Sequence, residues 1–86
     1  MKTFKDLEFK PHSIPGGQQA LMSFDNEYGV SVISGSMFYT DTAHPYEVAV
    51  LFQGHLTYST TITSDVIGHC TARRVTSIMK RVQNLK

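Results

Sequence analysis

Apolar residues recur along this chain at two different periods, and the change from one to the other sets its organisation. From Gln18 to Phe24, Ala20, Met22 and Phe24 alternate with polar Gln19 and Ser23, with Leu21 on the other face. A period of two predicts a half-buried strand. Asp25-Asn26-Glu27-Tyr28-Gly29 follows with turn chemistry, since Asp and Asn tolerate left-handed backbone and Gly adopts it freely. The short β-branched run Val30–Ile33 then predicts the second arm of a hairpin, extended to Tyr39 through a bulge or bend at Gly35. Thr40 to Pro45 reads as a loop, because Pro45 biases His44 away from helical backbone.

The most apolar stretch is Tyr46–Tyr58, YEVAVLFQGHLTY. Tyr46, Val48, Val50 and Phe52 point one way and Ala49 and Leu51 the other, so both faces of this strand are greasy and the strand is expected to be central. Gln53-Gly54 is the expected two-residue turn, with Leu56 and Tyr58 on the return strand. Ser59–Asp65 is a hydroxyl-rich connection, from which Asp65 is expected to cap a short turn through Val66-Ile67 that Gly68 ends.

Beyond Thr71, which has the chemistry of an N-cap, the period changes. Val75, Ile78, Met79, Val82 and Leu85 fall at intervals of three and four, the mark of one buried helical stripe. At about 100° per residue, Arg73, Arg74, Ser77, Lys80, Arg81 and Asn84 share roughly one third of the circumference, opposite that stripe. The elements add up to an α+β fold: a small antiparallel sheet of about four strands packed against one C-terminal amphipathic helix. Residues 1–86 are expected to form a single domain, with an arm or irregular lead-in over 1–16, the sheet over 17–60 and the helix over 71–86. One helix covers one face of a small sheet, so Ile33, Ala49 and Leu51 call for a second cover, either residues 1–16 or another subunit. The weak patterning of the arm favours a homodimer, although Phe4, Leu7 and Phe9 give it something to dock.

Composition bounds this picture without redirecting it. A chain of 86 residues, 41% hydrophobic and 17% charged, has the make-up of a folded protein with one modest core. No run approaches the roughly 20 apolar residues that cross a bilayer, and the opening MKTFKDLEFK has no secretory h-region, so a soluble protein of the cytoplasm is expected. One cysteine, Cys70, allows no intrachain disulfide and suits a reducing compartment as a buried structural thiol. Charge does change the picture. Residues 1–65 carry three lysines against seven acids, a balance of −4, whereas residues 66–86 carry five cations and no acid, +5. Arg73 and Arg74 stand in the first helical turn, where the macrodipole disfavours cations, so their placement calls for another reason.

Candidate chemistry is sparse. His12, His44, His55 and His69 lack the spacing that gathers metal ligands, and no cofactor is expected. No nucleophile sits in a motif context, the paired acids Asp25 and Glu27 belong to a turn, and no glycine-rich phosphate loop is present, which argues against an enzyme. The cationic helix face is the strongest signal outside the core. Arginine forks match phosphates and carboxylates alike, so its expected partners are an acidic protein surface or nucleic acid.

Tyr28-Gly29-Val30-Ser31-Val32, Tyr46–Leu51, Gly54-His55-Leu56-Thr57-Tyr58 and Ile62–Gly68, closed by an amphipathic helix, resemble a family of short proteins encoded by bacteriophages and prophages. The resemblance covers about residues 18–86 and brings no catalytic motif. In that family the helix starts with Thr and acidic residues, whereas this chain has Thr71-Ala72-Arg73-Arg74. The resemblance implies an accessory protein of the infected cell that binds and blocks a host protein, such as a CRISPR-type defence component. Arg73, Arg74, Ser77, Lys80, Arg81 and Asn84 are the candidate contacts. Direct nucleic-acid binding by the same face is the alternative, and a structural dimer module of virion assembly is a third.

Overall fold

The computed structural model describes residues 1–12, 16–35, 43–63 and 65–86. Among the described residues six strands form one antiparallel sheet: β1 (Lys10–Pro11), β2 (Gln18–Ser23), β3 (Tyr28–Ser34), β4 (Tyr46–Phe52), β5 (His55–Leu56) and β6 (Ile67–Cys70). The order is β1-β2-β3-β4-β5, and β6 also pairs with β4. The α-helix α1 (Ala72–Gln83) packs across β3 and β4. The fold is therefore the expected α+β arrangement, with a sheet wider than the four strands anticipated.

The register explains the core. Val30 pairs with Val50 and Val32 with Val48, so four β-branched side chains form one patch on one face. Onto that patch α1 lays Val75, Ile78, Met79 and Val82, none more than 1% exposed, and Cys70 completes the cluster. Each such side chain contributes about 1.5–3 kcal/mol when removed from water, and together they anchor the helix. Thr71 is the N-cap, its hydroxyl accepting from the Arg74 amide at 3.1 Å.

The β2–β3 and β4–β5 turns have left-handed residues. Gln53 (φ 52°) and Gly54 (φ 83°) join β4 to β5, the mirror-image turn that matches strand twist. Glu27 in the β2–β3 turn is also left-handed (φ 72°), and the two turns support each other: the Gln53 amide donates to the Glu27 carbonyl at 2.8 Å and Gln53 Nε2 to Glu27 Oε1 at 3.0 Å. Tyr28 and Phe52 pack ring on ring alongside, 4.9 Å between centroids.

Three expectations are corrected. The return strand ends at Leu56, short of Tyr58, which lies 46% exposed. Residues Ile67–Cys70 form a strand, β6, where a turn ended by Gly68 was expected. Asp65 does bind the Val66 amide, at 2.7 Å, but the chain then extends and joins β4, with a bulge between Tyr46–Cys70 and Val48–Ile67 and left-handed His69 (φ 54°). Glycine and histidine at the bulge hide this strand from a pattern reading, since a bulge breaks the alternation of faces. Third, the lead-in has structure of its own. Phe4–Asp6 is a 3-10 turn, and Phe4, Leu7 and Phe9 pack on the helix side of the sheet, where Phe4 and Phe9 join Tyr46 in an aromatic trio. Phe4, Leu7 and Phe9 thus extend the helix layer. The extension of β3 to Tyr39 and most of the Thr40–Pro45 loop lie outside the described residues.

Candidate functional site

Two surfaces stand out among the described residues. The first is the outer face of α1. Burial of the Val75–Val82 stripe fixes the rotation of the helix, and that rotation leaves Arg73, Arg74, Ser77, Lys80, Arg81 and Asn84 all exposed. The six residues expected to share a face do share it. Among the described residues no carboxylate forms an ion pair with Arg73, Arg74, Lys80 or Arg81. Lys80 and Arg81 sit in the last turn, where the dipole favours them, whereas Arg73 and Arg74 occupy the first turn, which has no acid.

The N-terminal arm adds to this face in a way the pattern of residues did not predict. The Lys2 amide donates to Gln83 Oε1 at 2.9 Å, Gln83 Nε2 donates back to the Lys2 carbonyl at 2.8 Å, and the Phe4 amide donates to Thr76 Oγ1 at 3.0 Å. These ties hold the arm against one flank of α1 at two points two helical turns apart, with Lys2 and Lys5 both exposed beside the cationic face. Asp6 is occupied locally: the Thr3 amide donates to its Oδ2 at 2.8 Å and holds the carboxyl below its usual range.

A second unpredicted contact secures the other end of the helix. Asn26 Nδ2 donates to the carbonyls of Val82 and Leu85, 2.9 Å each, while Asn26 Oδ1 accepts from the Tyr28 amide at 3.2 Å. The side chain read as turn chemistry is a cap for α1 supplied from the β2–β3 turn. A signal for it existed: Gln83-Asn84-Leu85 offers no glycine to close the helix, so its last carbonyls needed donors from elsewhere.

The second surface is the sheet face opposite α1. Ile33, Ala49, Leu51, Leu21 and Leu56 line a depression of about 640 Å³ there, with Gln19 Nε2 bonded to Ser31 Oγ at 3.0 Å within it. Ala49 and Leu51 are buried in its floor, but Leu21 is 65% and Leu56 58% exposed. Glu47 is buried on the same face.

The remaining candidates separate in space. His12 and His55 border the depression, and His69 stands on the β6 bulge. Among the described residues no three His, Cys, Asp or Glu side chains come together as metal ligands. Cys70 is buried, its Sγ directed to the carbonyls of Ile67 and Gly68 at 3.5 and 3.6 Å. Burial pushes its thiol up, with Arg74 offsetting part of the rise, so it is the protonated, poorly nucleophilic form. Among the described residues no helix is long and apolar enough to cross a membrane.

Comparison with protein-family models, with curated proteins and with solved structures finds no match for the chain. The functional reading therefore rests on the geometry of these two surfaces.

Proposed function

We propose that the protein is a non-enzymatic binding protein, in the manner of small phage accessory proteins, that uses the outer face of α1 to engage an acidic surface of a host protein such as a defence component. The observation that carries this reading is the exposed set Arg73, Arg74, Lys80 and Arg81, without a carboxylate partner among the described residues. A merely solvated helix face has no need of arginines in its first turn, where they cost a few tenths of a kcal/mol each. Ser77 and Asn84 lie between the cations as uncharged hydrogen-bonding groups.

Reversal of two charges tests it. Arg73→Glu with Arg74→Glu should abolish capture of a partner that the unaltered protein retains from host lysate. Capture unchanged by the double substitution rejects the helix face. Loss of binding to random duplex DNA with rising salt, at a log–log slope near the number of phosphates contacted, would instead assign the face to nucleic acid.

A second reading concerns the opposite surface. Leu21 and Leu56 stand open to solvent above an apolar floor, Phe4, Leu7 and Phe9 of the arm pack on the helix side, and a second copy of the chain would bury Leu21 and Leu56 isologously. Sedimentation equilibrium should then give a dimer that Leu21→Lys with Leu56→Lys converts to monomer. A monomer at high concentration for the unaltered chain removes this reading.

A further inference from the structure

We infer that the groove between the N-terminal arm and α1 is a docking site for an acidic segment of a partner protein that carries an apolar side chain between its carboxylates. The inference rests on the reading of the α1 face as a binding surface and names the chemistry of what that surface takes.

The groove is shallow and open, with Thr3, Phe4 and Lys5 along one side and Ala72, Arg73 and Thr76 along the other. Phe4 and Ala72 make its floor apolar, while Lys5 and Arg73 stand exposed on opposite rims. The walls are held together by the Phe4 amide bond to Thr76 Oγ1 at 3.0 Å, so the groove is formed before any partner arrives. Lys2, tied to Gln83, and Lys80 extend the positive charge along the helix on the same side. The Asp6 carboxylate, the acid of the 3-10 turn, is held by the Thr3 amide and offsets part of the charge of Lys2 and Lys5, whereas Arg73 and Lys80 have no carboxylate partner among the described residues.

Charge complementarity selects the occupant. Cations on both rims favour carboxylates to either side of the floor. The floor stays wet unless an apolar group fills it, and a sugar-phosphate backbone has none to offer. Bases stack on free aromatic faces, but the Phe4 ring is packed against Tyr46 at 4.9 Å and Phe9 at 5.8 Å between centroids. A protein segment supplies both chemistries at once: carboxylates for Lys5 and Arg73, and a leucine-type anchor for the floor.

The test uses the full chain and three labelled probes read by fluorescence anisotropy: an acidic peptide with one central leucine, the same peptide with serine in its place, and an oligonucleotide of equal charge. Burying the leucine should tighten binding about tenfold to a hundredfold over the serine peptide. Ala72→Trp, which fills the floor and keeps every charge, should lower affinity for the leucine peptide about tenfold and leave the serine peptide unchanged. Lys5→Glu and Arg73→Glu should weaken both peptides, and thermal unfolding of each variant checks that the chain is folded. Equal affinity for the two peptides, tighter binding of the oligonucleotide, no effect of Ala72→Trp, or no binding of any probe overturns the proposal. Equal peptide affinities that still fall with Arg81→Glu remove the groove while leaving the α1 face as the binding surface.

Discussion

Gly29→Ala should destabilise the protein by at least about 2–3 kcal/mol, in the range of overpacked cores, lowering the unfolding midpoint on the order of 10–20 °C for a domain of this size. The cause is a close approach of two strands. Gly29 pairs with Ser23 on one side and Leu51 on the other, at the position where β2 and β3 leave their turn. A Cβ there would press into the Met22 carbonyl oxygen and approach Ser23 Cα to 3.1 Å. Both obstacles are backbone in a hydrogen-bonded ladder, so neither gives way cheaply. Gly54→Ala is the control. Its Cβ would meet nothing within 4 Å, and only the left-handed backbone (φ 83°) opposes it, a penalty of about 1 kcal/mol. Urea or thermal unfolding of the two variants should therefore separate them clearly, with Gly29→Ala the worse.

Asn26→Ala should cost about 2 kcal/mol, because it removes the side-chain partners of the Leu85 carbonyl and the Tyr28 amide. It also removes one of the donors to the Val82 carbonyl, which keeps the Leu85 amide at 3.1 Å. Few single contacts join positions so far apart: 56 residues separate Asn26 from Val82 and 59 separate it from Leu85. Asn26→Asp should be more harmful at neutral pH than the alanine variant. Its carboxylate would face two carbonyl oxygens at the negative end of the helix dipole, so the charged form is disfavoured in the folded state and the folded-state pKa of the introduced acid is raised. Folding then takes up a proton, and the deficit of Asn26→Asp should shrink as pH falls through that raised value. Unfolding free energies at neutral and acid pH check the sign. A deficit that grows on acidification would contradict the capping geometry.

What could be read from residues alone was whatever repeats. The stripe Val75, Ile78, Met79, Val82 and the alternation through Val48 and Val50 describe their own burial, and the helix face opposite the stripe followed from the same arithmetic. Features made by a single residue were harder. Asn26 looks the same whether it closes its own turn or reaches across to another element, and only the missing glycine after α1 hinted at the second role. Strand β6 is interrupted by its bulge, so Ile67 and Cys70 never present two clean faces. The arm carries charges between Phe4, Leu7 and Phe9, and its docking depends on Thr76 and Gln83. Neither belongs to the apolar stripe or to the cationic face, so the periodicity of the helix gives them no role. The groove was illegible for the same reason, since its two walls lie at opposite ends of the chain.

The central claim is that Arg73 and Arg74 serve binding rather than stability. One paired measurement on Arg73→Glu with Arg74→Glu tests it: the unfolding free energy at low ionic strength and partner affinity on the same preparation. Acids in the first turn complement the helix dipole, so stability should rise by a few tenths to about 1 kcal/mol for each reversal while partner binding is lost. A variant that is less stable than the unaltered protein, or that binds its partner as well, contradicts the account.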